Sequence, residues 1–480
     1  MKRFLFYDIE TSGLNPAFDQ VLTFACIQTD TDLNELSRET ITVKLRPDIV
    51  PSPGAFLTHG LTPEELEQGI PEYQAAVKIH RLFNTPNTVS IGYNSLGFDD
   101  EFLRFLFYRN LLDPYSHQYA NGCSRMDLLP VAAIYRLFCD RVLSWPVRED
   151  GRQTLKLEYL SRENRFEVSG RAHEAMADVE ALLGLARAFS KEKKVWEYVT
   201  GFFDKKREHQ RIEGLKQAKT GRDIPFLIGL MVSVSFGPES NYMAPVLHLG
   251  GSVPYKNQEL WVRLDNEDLF ASTDDESGIY DFFVIRKRPG DQWFILPCLD
   301  RFRARLIPDA VAAWEKNMGI IRDNRDLFMK TVDHYRGYKY PDIPGIDSDA
   351  DLYQGGFFTP GEKREIASFH MADRENKAKA CTALKSARVK TLAERILIRS
   401  FDYSPKKGGE FAAHLQRLSG QKDCGDVVGY KNELKLDCVR ALAEVAEFES
   451  AGNLNPDQEK MLGWLKSHIQ GLSSFFAEAF

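Results

Sequence analysis

The hydrophobic pattern of this 480-residue chain changes character twice. Over residues 1–190, runs rich in β-branched and aromatic residues (RFLFYDI, QVLTFACIQTD, RETITVKLRP) are separated by polar breaks and read as strands. GFDDEFLRFLFYRNLL and EAMADVEALLGLARAFSKEKK read as helices; the second carries Met176, Val179, Leu182, Leu183 and Leu185 in an amphipathic pattern with a basic end. Strands mixed with helices predict an α/β domain, a sheet with helices packed against it. A charged segment that reads as helical, KEKKVWEYVTGFFDKKREHQRIEGLKQAKTGR, follows. Between 225 and 305 the texture turns to short strand-like runs punctuated by Gly, Pro, Asn and Asp, the pattern of a small β-barrel. From about 308 the pattern is helical, and residues 360–480 read as a helical array.

Composition changes this picture little. The formal net charge of −7 gives no global sign of nucleic-acid binding, although an acidic protein can carry a basic groove. The seven cysteines are scattered, without zinc-type spacing, and read as free or buried thiols in a reducing compartment. The N-terminal apolar run is broken at Asp8, so it is not a signal peptide, and no run of about 18 apolar residues predicts a membrane span. The expected location is cytoplasmic.

Candidate chemistry begins inside the first strand. Asp8 and Glu10 are two apart and therefore point to one face of it, where two like charges are costly unless something positive joins them. Asp99 and Asp100 stand where a helix begins, a position that favours acids as caps. His173 and Asp178 are five apart, about 140° around an ideal helix, so Asp178 belongs to the helix and His173 to the loop before it. Each feature alone has an ordinary structural reading. Together they meet one chemical need. Phosphodiester cleavage is served by two hard cations about 4 Å apart, held by carboxylates, with a neutral histidine able to take a proton from water.

The three segments YDIETSGL, GYNSLGFDDEFL and HEAMADV resemble the exonuclease motifs of the DEDDh superfamily, the proofreading-type 3′→5′ exonucleases. The third motif, H-x-A-x-x-D, is met by His173, Ala175 and Asp178. FYRNLLDPY, SRMDLL and LYQGGFF extend the resemblance to the bacterial exodeoxyribonuclease I family, strongly over 1–190 and patchily beyond. The resemblance implies a ribonuclease-H-like nuclease domain with a mixed sheet (1–195), a Src-homology-3-like small β-barrel domain with flanking helices (196–350) and a helical C-terminal extension (351–480). It implies Asp8, Glu10, Asp99 and Asp178 as ligands of two Mg²⁺ ions, with Mn²⁺ as a possible substitute, and His173 as general base. The choice of Asp99 over Asp100 comes from the family's F-D-x-x-F-L alignment. Glu10 and Thr11, and Thr58, His59, Gly60 and Leu61 within LTHGLTPEEL, are implied at the terminal nucleotide. The chain departs from the superfamily in two places: Tyr93 stands where many members have His before Asn94, and the NSLG spacing is one residue longer than the commonest form.

The implied activity is processive 3′→5′ degradation of single-stranded DNA to 5′-mononucleotides in repair and recombination, by a monomer. The family also binds the acidic, apolar C-terminal tail of single-stranded-DNA-binding protein, and Arg322 in GIIRDNR resembles a basic residue of that site. A grip on the strand calls for basic and aromatic side chains. Lys205, Lys206, Arg207, Arg211, Lys216, Lys219 and Arg222 are candidates, as are the clusters IRKRP (285–289) and DRFRARL (300–306). Phe102, Phe105, Tyr108, Tyr115 and Tyr119 read as core rather than stacking residues. Two alternatives stand beside this reading: a DEDDh exoribonuclease acting on RNA 3′ ends, against which the long segment 191–480 argues, and a non-catalytic single-strand-binding repair scaffold, which would have a broken acid constellation.

Overall fold

The computed structural model describes residues 2–166, 174–215, 217–219, 225–273, 278–404, 406 and 408–478, with the backbone alone at 217–219, 225 and 478. The first sheet contains β1 (Arg3–Thr11), β2 (Val21–Thr29), β3 (Glu35–Thr42), β4 (Thr88–Gly92) and β5 (Ser124–Asp127) in the order β3-β2-β1-β4-β5. β1 pairs antiparallel with β2 and parallel with β4, so the sheet is mixed, as the family resemblance implies. Side-chain alternation along β1 places Leu5, Tyr7 and Ile9 in one apolar core, while Phe6 points into another on the opposite face. Asp8 and Glu10 continue the Phe6 face toward the strand's end. There a bulge shifts the β1–β2 register between Glu10 and Thr11, which ends regular pairing and frees the chain to turn.

The turn itself is built by TSGLNP. The Thr11 hydroxyl donates to the Gly13 carbonyl at 2.8 Å, and Asp19 accepts from the Ser12 hydroxyl at 3.1 Å and the Asn15 N–H at 2.8 Å. A Cβ at Gly13 would lie 2.4 Å from an Asp19 carboxylate oxygen, so this position has no room for a side chain.

The second sheet is antiparallel throughout. Its strands β7 (Pro225–Val232), β8 (Met243–Gly251), β9 (Glu259–Arg263), β10 (Val284–Lys287) and β11 (Phe294–Pro297) run in the order β10-β9-β8-β7-β11, with the short β6 (Gln217–Lys219) paired to β7. One of its faces packs on helices Pro308–Asp323 and Arg325–Gly337 through Ile321, Phe328 and Val332; Trp261 fills the other. The charged segment after 190 is not one helix. It breaks into Lys193–Thr200 and Lys205–Glu213, interrupted near Gly201, restarted by Asp204 capping the N–H groups of Lys206 and Arg207, and then enters β6.

Helices dominate from Pro360 to Glu478. They share a core with the N-terminal half: Phe18, Phe56, Phe105 and Tyr108 pack with Leu392, Ile396, Leu415 and Leu465. Each fully buried side chain of this size contributes roughly 1.5–3 kcal/mol. A buried ionic network lies at the same boundary. Arg46 pairs with Asp48 at 3.1 Å and Glu72 at 2.9 Å, and Arg109 reaches Glu72 at 2.6 Å. Across the boundary Arg399 lies 2.6 Å from both Asp48 and Asp349, and Arg395 lies 2.6 Å from Asp347. His414 sits 3.1 Å from Asp347, and Lys435 donates to the Asp48 carbonyl at 3.0 Å. Among the described residues, no helix is long and apolar enough to cross a membrane.

Candidate active site

Three elements converge at the end of β1. The strand supplies Asp8 and Glu10, helix Asp99–Arg109 supplies Asp99 from its first turn, and helix Ala175–Ser190 supplies Asp178. One ligand oxygen each from Asp8, Glu10 and Asp178 falls within 4.8 Å of the others, close enough for a common cation. The Ile9 backbone donates to Asp99, which ties this fourth acid to the strand between the first two.

The electrostatics of the cluster are those of crowded carboxylates. Burial, then the charges of Asp99, Asp178 and Glu10, hold Asp8 well above the usual carboxylate range. Burial, then Asp178 and Asp99, push Glu10 up to about 8. Asp99 is pushed up to about 7 by burial and by Asp127 and Asp100, against the backbone N–H groups that favour its charged form. Four crowded carboxylate side chains offering hard oxygen donors fit a divalent cation, whose charge would offset their repulsion.

Asp100 has a different environment. It is 2.6 Å from Arg104 and 3.2 Å from His117, and it accepts from Arg125 on β5. Burial opposes its charge, but the two arginines hold it far below the ordinary carboxylate range. Two adjacent acids thus divide: Asp100 is neutralised within the fold and Asp99 faces the cluster.

Asp127 was not singled out by the sequence reading. Fully buried, it accepts from the N–H groups of Asn94 at 2.9 Å, Leu96 at 3.1 Å and Leu129 at 2.9 Å. It therefore caps helix Leu128–Phe138 and holds the loop that delivers Asp99. In the sequence it is the acid of SRMDLL, directly before the apolar run LLPVAAI, with no role assigned to it there. Asn94 sits at φ 59°, and Tyr93, the residue that departs from the superfamily pattern, donates its hydroxyl to the Leu155 carbonyl.

His173 lies outside the described residues, as do Lys216, Arg222 and the side chain of Lys219. Thr58, His59, Gly60 and Leu61 form the end of helix Pro53–His59 and its left-handed cap at Gly60. His59 packs on Phe56 at 4.9 Å and accepts from the Leu61 N–H at 3.0 Å. Ser52 ties this segment to the β1 turn by donating to the Ser12 carbonyl at 2.9 Å. Thr11 is buried, with its hydroxyl engaged in that turn. Arg322 is exposed in the last turn of helix Pro308–Asp323.

Several basic candidates are engaged within the fold. Arg211 stacks on Tyr198 and Phe202 at 4.3 and 4.4 Å, and Lys287 is buried against Glu208 at 2.6 Å. Arg301 and Arg303 lie over the rings of Phe302 and Trp314. Phe102, Phe105 and Tyr108 are core residues, whereas Tyr119 is 63% exposed. Asp48, Asp349 and His414 also come within ligand distance of one another, but burial of Asp48 is outweighed by Arg399, Arg46 and Lys435, which hold it well below its usual range. That trio is a node of the ionic network already neutralised by protein cations.

Residues 5–186 match the family described as exonuclease. The exodeoxyribonuclease I of Escherichia coli (strain K12) is 41% identical over 186 residues, which span 38% of this chain and 39% of that protein. The aligned part thus covers about two fifths of the relative's length. In fold the likeness extends further. The zinc-bound complex of E. coli exonuclease I with single-stranded DNA superposes with a TM-score of 0.80 at 24% identity, covering 98% of this chain and 99% of that one. A complex of exonuclease I with single-stranded-DNA-binding protein and the inhibitor CFAM gives 0.77 at 24%, covering 98% and 100%. The chain is similar to bacterial exodeoxyribonuclease I over its N-terminal part, the same part that matches the exonuclease family.

Proposed function

We propose that this chain, an exodeoxyribonuclease I relative, is a single-strand-specific DNA exonuclease that works processively from the 3′ end and releases 5′-mononucleotides. The observation that carries the reading is the convergence of Asp8, Glu10 and Asp178 within 4.8 Å, with Asp99 raising the charge on the same cluster. Asp8, Glu10, Asp99 and Asp178 would hold two Mg²⁺ ions, with Mn²⁺ as a possible substitute. Such ions, when bound, supply activation of water and neutralisation of the leaving oxygen. Asp127 keeps the Asp99 loop in place, Arg104 and Arg125 keep Asp100 out of the cluster, and His173 takes the proton of the attacking water. Glu10 and Thr11, with Thr58, His59, Gly60 and Leu61, border the terminal nucleotide.

The second sheet is read as the Src-homology-3-like domain of 196–350 and the last helices as the C-terminal domain of 351–480; together they flank the strand and favour processivity. The protein acts in the cytoplasm, as a monomer, in DNA repair and recombination. Single-stranded-DNA-binding protein docks through its acidic tail near Arg322.

The test uses matched single-stranded DNA and RNA carrying a label at either end. With Mg²⁺, the protein should shorten DNA from the 3′ end to mononucleotides and leave RNA largely intact. Asp8→Ala should abolish this while retaining DNA binding, and His173→Ala should be slow with metal binding preserved. Full turnover by Asp8→Ala would overturn the metal assignment, preferential RNA cleavage would favour the exoribonuclease alternative, and binding without hydrolysis would favour the scaffold.

A further inference from the structure

Two carboxylates of the C-terminal segment reach back to the chain beside the acid cluster. Glu444, on helix Cys438–Ala451, accepts from the Gly54 N–H at 2.9 Å and from the Ser52 hydroxyl at 3.4 Å. Glu433, in the turn before that helix, accepts from the Asn15 side-chain amide at 3.3 Å. The partners stand 390 and 418 residues apart along the chain.

Glu444 does for helix Pro53–His59 what the helix does not do for itself. The helix opens on Ser52, Pro53 and Gly54; proline has no N–H, so the first amide it presents is that of Gly54. Ser52 occupies the N-cap position but sends its hydroxyl to Glu444 rather than to its own helix. The cap therefore comes from another element, as a carboxylate placed where the helix dipole favours negative charge. A helix of seven residues is too short to hold its shape alone. This one also rests Phe56 near Trp464 of helix Pro456–Glu478, with ring centroids 5.8 Å apart. Its far end carries the segment 58–61.

Glu433 is fixed before it meets Asn15. Its second carboxylate oxygen accepts from the Lys431 N–H at 2.6 Å, and its carbonyl accepts from the Gly429 N–H at 2.7 Å. Gly429 leaves the space for this fold-back, since a Cβ there would overlap the carboxylate. Asn15 in turn donates its N–H to Asp19, which accepts from Ser12, whose carbonyl accepts from the Ser52 N–H. One hydrogen-bonded chain thus runs from Glu433 through Asn15, Asp19, Ser12 and Ser52 to Glu444. It crosses the turn that directly follows Glu10 and Thr11.

We propose that Glu433 and Glu444 are positioning residues for strand cleavage. From the C-terminal segment they set where the turn 11–16 and the segment 58–61 stand relative to the acids, and so where the terminal nucleotide comes to rest. This rests on the reading of the chain as a single-strand DNA exonuclease in which those segments border that nucleotide. Both glutamates act through other residues, Glu433 through Asn15 and Glu444 through the start of helix Pro53–His59.

The experiment separates kcat from KM for hydrolysis of an oligothymidylate with Mg²⁺, alongside oligothymidylate binding in chelator and thermal unfolding. E433A and E444A should each lower kcat about 10–100-fold, the cost of displacing a reacting group by about 1 Å, with KM and binding unchanged. E433Q and E444Q keep an acceptor oxygen and should turn over at the wild-type rate. N15A removes the other end of the Glu433 bond, so N15A/E433A should be no slower than E433A. Wild-type kcat in both alanine variants would overturn the proposal, as would additive losses in N15A and E433A. A fall in kcat that only matches the loss of folded protein would reduce both glutamates to interface contacts and overturn it too. If the alanine variants do not fold, N15A decides: a lowered kcat at unchanged KM supports the positioning role, and wild-type kcat refutes it. Wild-type protein inert on single-stranded DNA would overturn the parent function instead, a result read before any variant is made.

Discussion

At the scale of single residues, Asp99 and Asp100 show how much a neighbour decides. They are chemically identical and adjacent, about 100° apart on a helix, and nothing in FDDEF separates them physically. The fold does so by bringing Arg125 from β5, and His117, to one of them only. Asp99→Asn should therefore reduce hydrolysis by more than the about 10–100-fold typical of losing a supporting partner. Asp100→Asn should instead lower stability, by about 3–5 kcal/mol if the arginines stay buried, with activity retained in the folded fraction. Denaturant unfolding and steady-state assays on the two variants check this. The acid cluster also sets a pH dependence. Glu10 and Asp99 hold protons more tightly folded than unfolded, so without metal their contribution to stability is fully present below the usual carboxylate range. It is lost as pH rises through about 7 for Asp99 and about 8 for Glu10. Urea unfolding in chelator at pH 6 and pH 8.5 should show a smaller fall for Glu10→Gln than for wild type, and added Mg²⁺ should flatten the wild-type response.

At the scale of elements, legibility followed amphipathic contrast. β1, β2 and helix Ala175–Ser190 carry strong apolar patterns and were readable. β3 begins at Glu35, three residues before the run RETITVKLRP, because its first six residues are exposed and leave no hydrophobic signature. The charged stretch after 190 concealed its breaks for a related reason: helix and strand ends there are set by Gly201, Asp204 and pairing to β7 rather than by periodicity. The acids of the site were legible as a pattern, whereas Asp127 was not, since its three acceptor contacts join segments from β4, β5 and the helix that follows. Asp127→Ala would release both the helix cap and the loop before Asp99. The expected result is a loss of about 10–100-fold in metal affinity, read by calorimetric titration.

At the scale of the whole molecule, the N-terminal half and the last helices are bound by a shared apolar core and by buried charges on both sides. Asp48 meets Arg46 from its own half and Arg399 from the other. Removing its charge strands buried guanidinium groups, and Asp48→Asn should destabilise the protein by about 3–5 kcal/mol. Because the network spans the boundary, unfolding followed at Trp464, which packs on Phe56 across it, and by far-UV circular dichroism should shift together in that variant. Two separated transitions would show that the halves fold independently. The pairing of Asp48 with Arg399 was not visible in the sequence, where the two stand 351 residues apart.

The buried ionic boundary has a consequence for how such a protein can change. A catalytic unit whose interior charges are neutralised by a distant stretch of chain is not a portable part. Cut near residue 195, it would keep Arg46, Glu72 and Arg109 but lose Arg399, and it would bare Phe18, Phe56 and Phe105 to solvent. Recombination that exchanges one half without the other would then be selected against at the level of solubility, before catalysis was ever tested. The two halves are constrained to be inherited as a pair.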